Sequence, residues 1–393
     1  MKRHYLSLLL IISLLFQGCS NYTELNDLSI VVAIGLDFLP KEKKYELIIQ
    51  MINPNAIANQ AGAKGIPIIY YVEKGRTISE AARLASKKIS RTNIYSHVNL
   101  VAIGETLAKE SSLNYIFDVF ERDSKIRVNI PVIIARNTSV YKVLNTIPSL
   151  EKLPAKSITG KIQNTSKLLG ENREIEMRDI IQALSSKGRE PTINGASLAL
   201  DKPTFDTLAN TEDVGSTYVF INGTAIFNKG KLVGWIDGPP AKSIQIVDNL
   251  INQMNVQVPC NKNVYDSMEI TRLKTKTDIK FKKGIPIIHV NVKSLGHIDE
   301  VLCNDDFNKA KTLDTYEKNA EKAVKQVLID GITQAQKLGS DCFGFGERFH
   351  LADPKKFNRH AKKWNEDFKK AKVIVKVDVQ INNIGMRNKA YPF

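Results

Sequence analysis

The chain is poor in the residues from which metal and catalytic sites are built. Its 393 residues include six histidines and four cysteines. His4, His97, His289, His297, His350 and His360 are scattered. They show neither the short repeated spacing nor the single helix face that zinc ligation needs, so no metal is expected. Cys260, Cys303 and Cys342 follow Cys19, and no two form a Cys-x-x-Cys pair. That excludes a disulfide framework in a chain of this size. One pair can bridge without the sequence selecting which; buried free thiols are the default reading. There is no Gly-x-Ser-x-Gly elbow, no His-Glu-x-x-His, no P-loop and no Gly-x-Gly-x-x-Gly after a strand. No pair of carboxylates stands in a recognisable glycosidase or protease context. An enzyme is the weaker class, and no cofactor is expected.

Two further absences concern partners. After Cys19 no apolar run reaches the roughly 20 residues that cross a bilayer. The net charge is +15, yet the lysines are spread along the chain with no arginine-rich stripe. A nucleic-acid partner is therefore not expected; the excess suits anionic lipid headgroups or a plain solvated surface.

What is present begins at the N-terminus. Lys2 and Arg3 precede an apolar run from Leu6 to Phe16, then Gly18 and Cys19. This is the layout of a bacterial lipoprotein signal over 1–18, with Cys19 as the lipidated residue. An ordinary signal peptide cleaved nearby is the alternative. The protein is then held at a membrane by lipid rather than by a helix.

Strands are expected at Ser29–Leu36, Tyr45–Asn53, Ile66–Val72, Val98–Ile103, Ile126–Ala135 and Thr192–Leu200. Pro131 suggests an edge or a bulge for the fifth. Thr77 and Glu80 form a capping box for a helix with Ile78, Ala81, Ala82, Ala85 and Ile89 on one face. Leu113–Glu121 and Glu174–Ser185 are also helical in pattern. The polar stretch 201–215 is read as a linker between domains at 19–200 and 216–393, with a subdomain break near 150–172.

The second half opens with a hairpin, Tyr218–Phe227 and Lys231–Ile236, turning at Asn228-Lys229-Gly230. A helix is expected over Ala241–Gln253, then strands at Asp266–Thr275, Thr277–Phe281 and Ile285–Val292. Ile288, Val290 and Val292 alternate with His289 and Asn291, as in a sheet with one wet face. Leu313–Leu338 is the longest helix, with Gly339 at its C-cap. Gly344-Phe345-Gly346 reads as a tight turn with an aromatic anchor, Ala361–Lys372 as a basic helix and Val373–Ile381 as a strand. Trp235 and Trp364 read as buried anchors rather than ligand-stacking rings. Strand runs interleaved with helices give an α+β fold with mixed or antiparallel sheets.

Several motifs in one order resemble a known family. They are Glu24-Leu25-Asn26-Asp27 with Ile30 to Asp37; Gly75-Arg76-Thr77-Ile78 with Glu80-Ala81; and Arg91, Tyr95-Ser96-His97 and Ile103-Gly104-Glu105. Gly223 to Phe227 and Lys231 to Trp235 follow, then Asp341, Phe343-Gly344-Phe345-Gly346, Trp364 and Phe368. The chain resembles the GerAC-type spore germination proteins, the C-subunit lipoproteins of nutrient germinant receptors. It departs at Ser20-Asn21-Tyr22, where the family usually has Trp after the lipid cysteine, and near Arg136-Asn137, where a glycine is common.

The resemblance implies an elongated, multi-domain, non-enzymatic subunit on the outer face of the spore's inner membrane. It implies a polytopic A subunit and a transporter-like B subunit as partners, in a complex that senses small nutrients. Arg76, Arg91, His97 and Glu105 are read as residues that tie loops together, ahead of ligand contact. The alternative is a solute-binding lipoprotein with two similar doubly wound lobes, a repeat this sequence does not show. A cell-wall enzyme is weaker still.

Overall fold

The computed structural model describes residues 24–57, 67–123, 125–148, 150–200, 217–251, 253–303 and 306–387. The signal region, Cys19 and the 201–215 linker lie outside them. Among the described residues, thirteen strands form two sheets.

The first sheet is built around parallel strands. They are β1 (Leu28–Leu39), β5 (Leu100–Gly104), β6 (Val132–Ala135) and β7 (Thr192–Leu200). On one side β2 (Lys44–Ile52) and β3 (Ile68–Gly75) add antiparallel; β4 (Thr92–Ile94) pairs with the first residues of β1. On the other side β8 (Thr217–Asn228) pairs antiparallel with β7, and β9 (Lys231–Ile236) with β8. The hairpin that opens the second half thus extends the sheet of the first. Its turn holds Lys229 and Gly230 at φ 52° and 75°, as a tight two-residue hairpin requires.

β5 and β6 are apolar at every position because both faces are covered. Val101 and Ile103 face a layer with α1 (Ile78–Leu84), α3 (Leu113–Arg122) and α6 (Met177–Ser185). Leu100 and Ala102 face the opposite layer, with α4 (Val140–Asn145) and α5 (Pro154–Leu168). Between β5 and α3 lies α2 (Glu105–Glu110). The strand expected over Ile126–Ala135 is only four residues long and is central rather than an edge. Pro131 stays just outside it, and its carbonyl accepts from Val101 N, so its missing N–H costs the ladder nothing.

The second sheet runs β10 (Met254–Asn261), β11 (Val264–Lys282), β12 (Ile285–Glu300) and β13 (Lys372–Asn383). The β12–β13 pair is parallel and the others antiparallel. A long helix, α8 (Ala310–Leu338), buries Tyr316, Ala320, Val324, Leu328 and Ile332 against one face. Gly339 closes it at φ 68°. Mixed sheets flanked by helices make this an α+β fold.

Four local expectations change. The helix expected to Gln253 is α7 (Lys242–Val247), stopped where Asn249 turns to φ 58°; the chain then enters β10. Asp266–Thr275 and Thr277–Phe281 belong to one strand, β11. The basic helix splits into a 3-10 turn, Ala361–Lys363, and α11 (Trp364–Lys369). Gly344 is not merely a turn: at φ 68° it leads directly into α9 (Phe345–Ala352), followed by α10 (Pro354–Asn358). The thiols also differ from the default. Cys260 and Cys303 are bridged, with Cα atoms 6.3 Å apart, while Cys342 is free and buried. Antiparallel pairing of β10 with β11 brings Cys260 toward the chain leaving β12, and that is how residues 43 apart meet.

Candidate functional site

Two places gather polar side chains. The first lies at the carboxyl ends of β5 and β6, the edge where α/β sheets commonly place ligands. Glu105, the first residue of α2, accepts from Asn137 N at 2.9 Å and Trp235 Nε1 at 3.3 Å, and pairs with Lys109 at 2.8 Å. Burial works to raise its pKa, but these three partners outweigh it and hold the carboxyl below the usual range. The Arg136 guanidinium lies 4.3 Å from the Trp235 ring centroid and pairs with Asp237. Glu105 therefore locks β9 onto the ends of β5 and β6. A cleft of about 750 Å³ opens beside Arg136, Lys142 and Asn222, but the Arg136 guanidinium is already engaged.

Arg76, Arg91 and His97 are elsewhere. Arg76 is exposed, and its backbone N donates to Glu80 Oε2 at 2.6 Å, so the Thr77–Glu80 box closes one residue earlier than expected. Arg91 and His97 are exposed and flank β4, which pairs with Leu28–Ile30 at the start of β1. Glu105 follows the strand end paired with Leu36. Arg91 and His97 lie at the opposite end of the sheet from Glu105, and Arg76 follows β3 at the same end but three strands away, so the four do not converge.

The second place is a seam between the two sheets. The loop from α6 to β7 carries Gly188, Arg189 and Glu190. Glu347 N donates to Gly188 O, and Glu190 N to Asp341 O, both at 3.0 Å. Arg189 donates to Asp248 through both terminal nitrogens, at 3.1 and 2.9 Å, and to Glu347 through Nε at 2.6 Å. Arg348 reaches the same Asp248 at 2.8 Å, and Ser186 donates to Glu347 at 2.7 Å. Burial alone would raise the pKa of Asp248; the two guanidiniums override it and hold the carboxyl low. Burial likewise opposes the charge on Arg189, and the facing carboxylates keep it firmly protonated.

Beside this lattice sits Asp341, fully buried at the end of the connection from α8. Its carboxylate accepts from Phe345 N, Gly346 N and Trp364 Nε1 at 3.2, 2.7 and 2.7 Å. Burial nevertheless pushes its pKa up. The same burial, with Asp341 next to it, drives the Cys342 thiol well above its ordinary value. Phe343, Phe345 and Phe368 are fully buried around it. Any side chain at Gly346 would displace its neighbours, since a Cβ there would overlap the Trp364 indole. Glu190 accepts from Asn365 Nδ2 at 2.7 Å and Lys229 N at 3.0 Å, with its pKa raised by burial. Trp364 is thus a buried anchor, whereas Trp235 is only partly buried, packed against the first sheet's core with Arg136 over its ring.

Sequence reasoning did not find Arg189, Asp248 or Glu347 as a group. Arg189 is 59 residues from Asp248 and 158 from Glu347, so no spacing could reveal them. Glu269, His297 and Asp299 bring ligand atoms together on the surface, without the burial that marks a built metal site. Among the described residues no helix is long and apolar enough to cross a membrane.

Comparison with known proteins gives this arrangement a family. Residues 21–198 match the family model for the spore germination protein N-terminal domain. Residues 222–385 match that for the spore germination B3/GerAC-like C-terminal domain. The chain belongs to the GerAC-type spore germination proteins. It is 28% identical to spore germination protein KC of Bacillus subtilis (strain 168), over 98% of this chain and 97% of that one. It is 23% identical to spore germination protein B3 of the same organism, over 94% of each. The crystal structure of the GerBC protein shares the fold, at a TM-score of 0.54 and 17% identity, covering 89% of this chain and 97% of that one. Part of the C-terminal half's resemblance to the GerAC-type proteins, Asp341, Phe343 to Gly346, Trp364 and Phe368, falls on the residues that build the seam and its aromatic floor.

Proposed function

We propose that the chain is a lipid-anchored, non-enzymatic subunit of a spore nutrient germinant receptor. It is anchored through Cys19 on the outer face of the spore's inner membrane and acts through contacts with polytopic A and B subunits. The match of two successive germination-family models to nearly the whole chain carries this reading. In the seam, Arg189, Asp248, Glu347 and Arg348 line a cavity of about 290 Å³ and are engaged with one another, a use that suits a structural tie. We divide the chain into 19–200, a 201–215 linker and 216–393. Glu105 and Trp364 serve as structural ties; the exposed Arg76, Arg91 and His97 are offered as subunit contacts.

The test uses spores lacking this protein, challenged with single amino acids, sugars and nucleosides. A selective loss of response to some nutrients is expected, and an unchanged response to all of them counts against the reading. Spores carrying Cys19→Ala should lose the protein from the membrane fraction and germinate poorly. Wild-type germination by a soluble Cys19→Ala protein would sink the anchoring mechanism. The alternative, a solute-binding lipoprotein, called for two similar lobes. The two sheets differ in strand number, topology and helix placement, so that architecture gains no support.

A further inference from the structure

One face of the second sheet is open to solvent and basic. Along β11, Arg272, Lys274, Lys276, Lys280 and Lys282 are exposed and alternate with residues turned toward α7, α9 and the buried core. The ladder sets Lys293 of β12 opposite Lys274. It adds Lys376 and Lys372 of β13 in the same rows, through Asn291 and Ile287. Eight cations thus share this face with Asp278 and Asp378, and past Arg272 the face turns acidic, where Glu269 and Asp299 flank His297. Only Lys280 has an ion-pair partner within 4.0 Å among the described residues, Asp278 at 3.3 Å. Like charges directly opposite each other, as at Lys274 and Lys293, weaken a sheet. The fold keeps them without neutralising them.

The β11–β12 turn at one end adds Lys283 and Gly284, followed by Ile285, which is 48% exposed. Ile285 and Ile287 belong to none of the buried clusters.

We propose that this face lies against an anionic lipid bilayer, with the Lys282–Ile285 turn at the headgroup boundary. The charge is carried by seven lysines and one arginine. Lysine gives point charges suited to diffuse headgroup charge, whereas the bidentate guanidinium fork favoured for reading one fixed phosphate is present only at Arg272. No Phe, Tyr or Trp stands among the face residues between Arg272 and Lys282 on which a base could stack; the one ring there is His289, opposite Asp278. Ten residue steps at about 3.3 Å make the basic strip roughly 33 Å long, and neighbouring strands lie about 4.8 Å apart. A strip of that extent sets its charges along one open face, long enough to meet many headgroups at once. The proposal rests on the membrane-side location proposed above, but its mechanism is independent of the Cys19 lipid.

The experiment uses the chain without residues 1–18 and with Cys19→Ala, so that no lipid is attached. Binding is measured by co-sedimentation with vesicles of phosphatidylglycerol and phosphatidylcholine, and with phosphatidylcholine alone. Binding only to the anionic vesicles is expected, weakening as NaCl rises from about 0.1 to about 0.5 M. The combined variant K274E/K276E/K293E/K376E should lose at least about tenfold in affinity. A matched variant, K41E/K87E/K125E/K167E, reverses four exposed charges elsewhere and should stay within about twofold of the parent. Thermal melts check that both are folded, and the Lys→Gln version of the first gives a milder loss in the same direction. No binding to anionic vesicles, or equal losses in the two variants, overturns the proposal. Full retention by the first variant also overturns it and leaves an acidic protein surface as the partner. Failure of the Cys19 anchor appears instead in spore fractionation and leaves this assay untouched.

Discussion

Arg189 is the residue whose removal the seam can least absorb. Three of its nitrogens are engaged by two carboxylates, and Asp248 is nearly inaccessible to solvent. Arg189→Met leaves Asp248 with Arg348 alone, and Glu347 with Ser186. Stripping one partner from such a group costs about 3 kcal/mol. A drop of that size in urea unfolding is the expected result. The pH dependence has a definite sign. Folding lowers the pKa of Asp248 from 3.8, because the guanidiniums outweigh burial. Its stabilisation is therefore complete above that unfolded value and is lost as pH falls through the lower folded one. The parent should lose more stability between about pH 5 and pH 3 than the Arg189→Met chain does. Equal losses would show that the lattice is not what titrates. Asp341→Ala removes the acceptor for two backbone amides and the Trp364 indole. Orphaned buried donors make it cost about 3 kcal/mol, with a shift in the fluorescence of Trp364 as the local readout.

At the level of single elements, the Cys260–Cys303 bridge closes 43 residues spanning β11 and β12. Chain-entropy arguments give such a loop about 4 kcal/mol of stabilisation. Reduction should release two further thiols to titration and lower the unfolding midpoint; an unchanged thiol count with reductant would refute the bridge. Gly346→Ala should destabilise by about 2 kcal/mol, because a methyl there meets the Trp364 indole, and calorimetry would read it. These elements also mark how far sequence reasoning reached. Residues 288–292 of β12, the Thr77 cap and the Gly339 stop were legible because each depends on residues within one turn or one pleat of each other. β10 was missed although Met254, Val256 and Val258 alternate, because an apolar helical pattern runs into it. Only the left-handed turn at Asn249 separates the two. β6 was misplaced because a central parallel strand covered on both faces needs only four residues. The lattice of Arg189, Asp248 and Glu347 was illegible because charge pairs between distant segments leave no periodicity. Asp341 and Trp364 were noticed as motif members, but no local pattern revealed that one accepts a hydrogen bond from the other.

For the whole molecule, the decisive fact is that the segments on either side of 201–216 are partners. β7 pairs with β8 from Thr192–Ile226 to Leu200–Thr217, and the Gly188–Glu190 loop is bonded to the turn before α9. A chain cut at a protease site placed within 201–215 should therefore elute from gel filtration as one species of unchanged size. Two separating fragments would contradict the shared sheet. The same pairing bears on how relatives could exchange parts. A recombinant joined at 201–215 would set β8 and β9 from one parent against β7 from the other, splitting a register of eight paired positions and the Glu105–Trp235 tie. A junction after Ile236 would pass the hairpin on with the sheet it completes, leaving the Arg189 lattice, the Arg136–Asp237 pair and the bonds of Glu190, Phe227 and Asn228 to residues 339–365 to be matched between parents. Recombinants joined near Asp237 and Gly238 should therefore fold better than those joined within 201–215, where the sequence alone places the boundary.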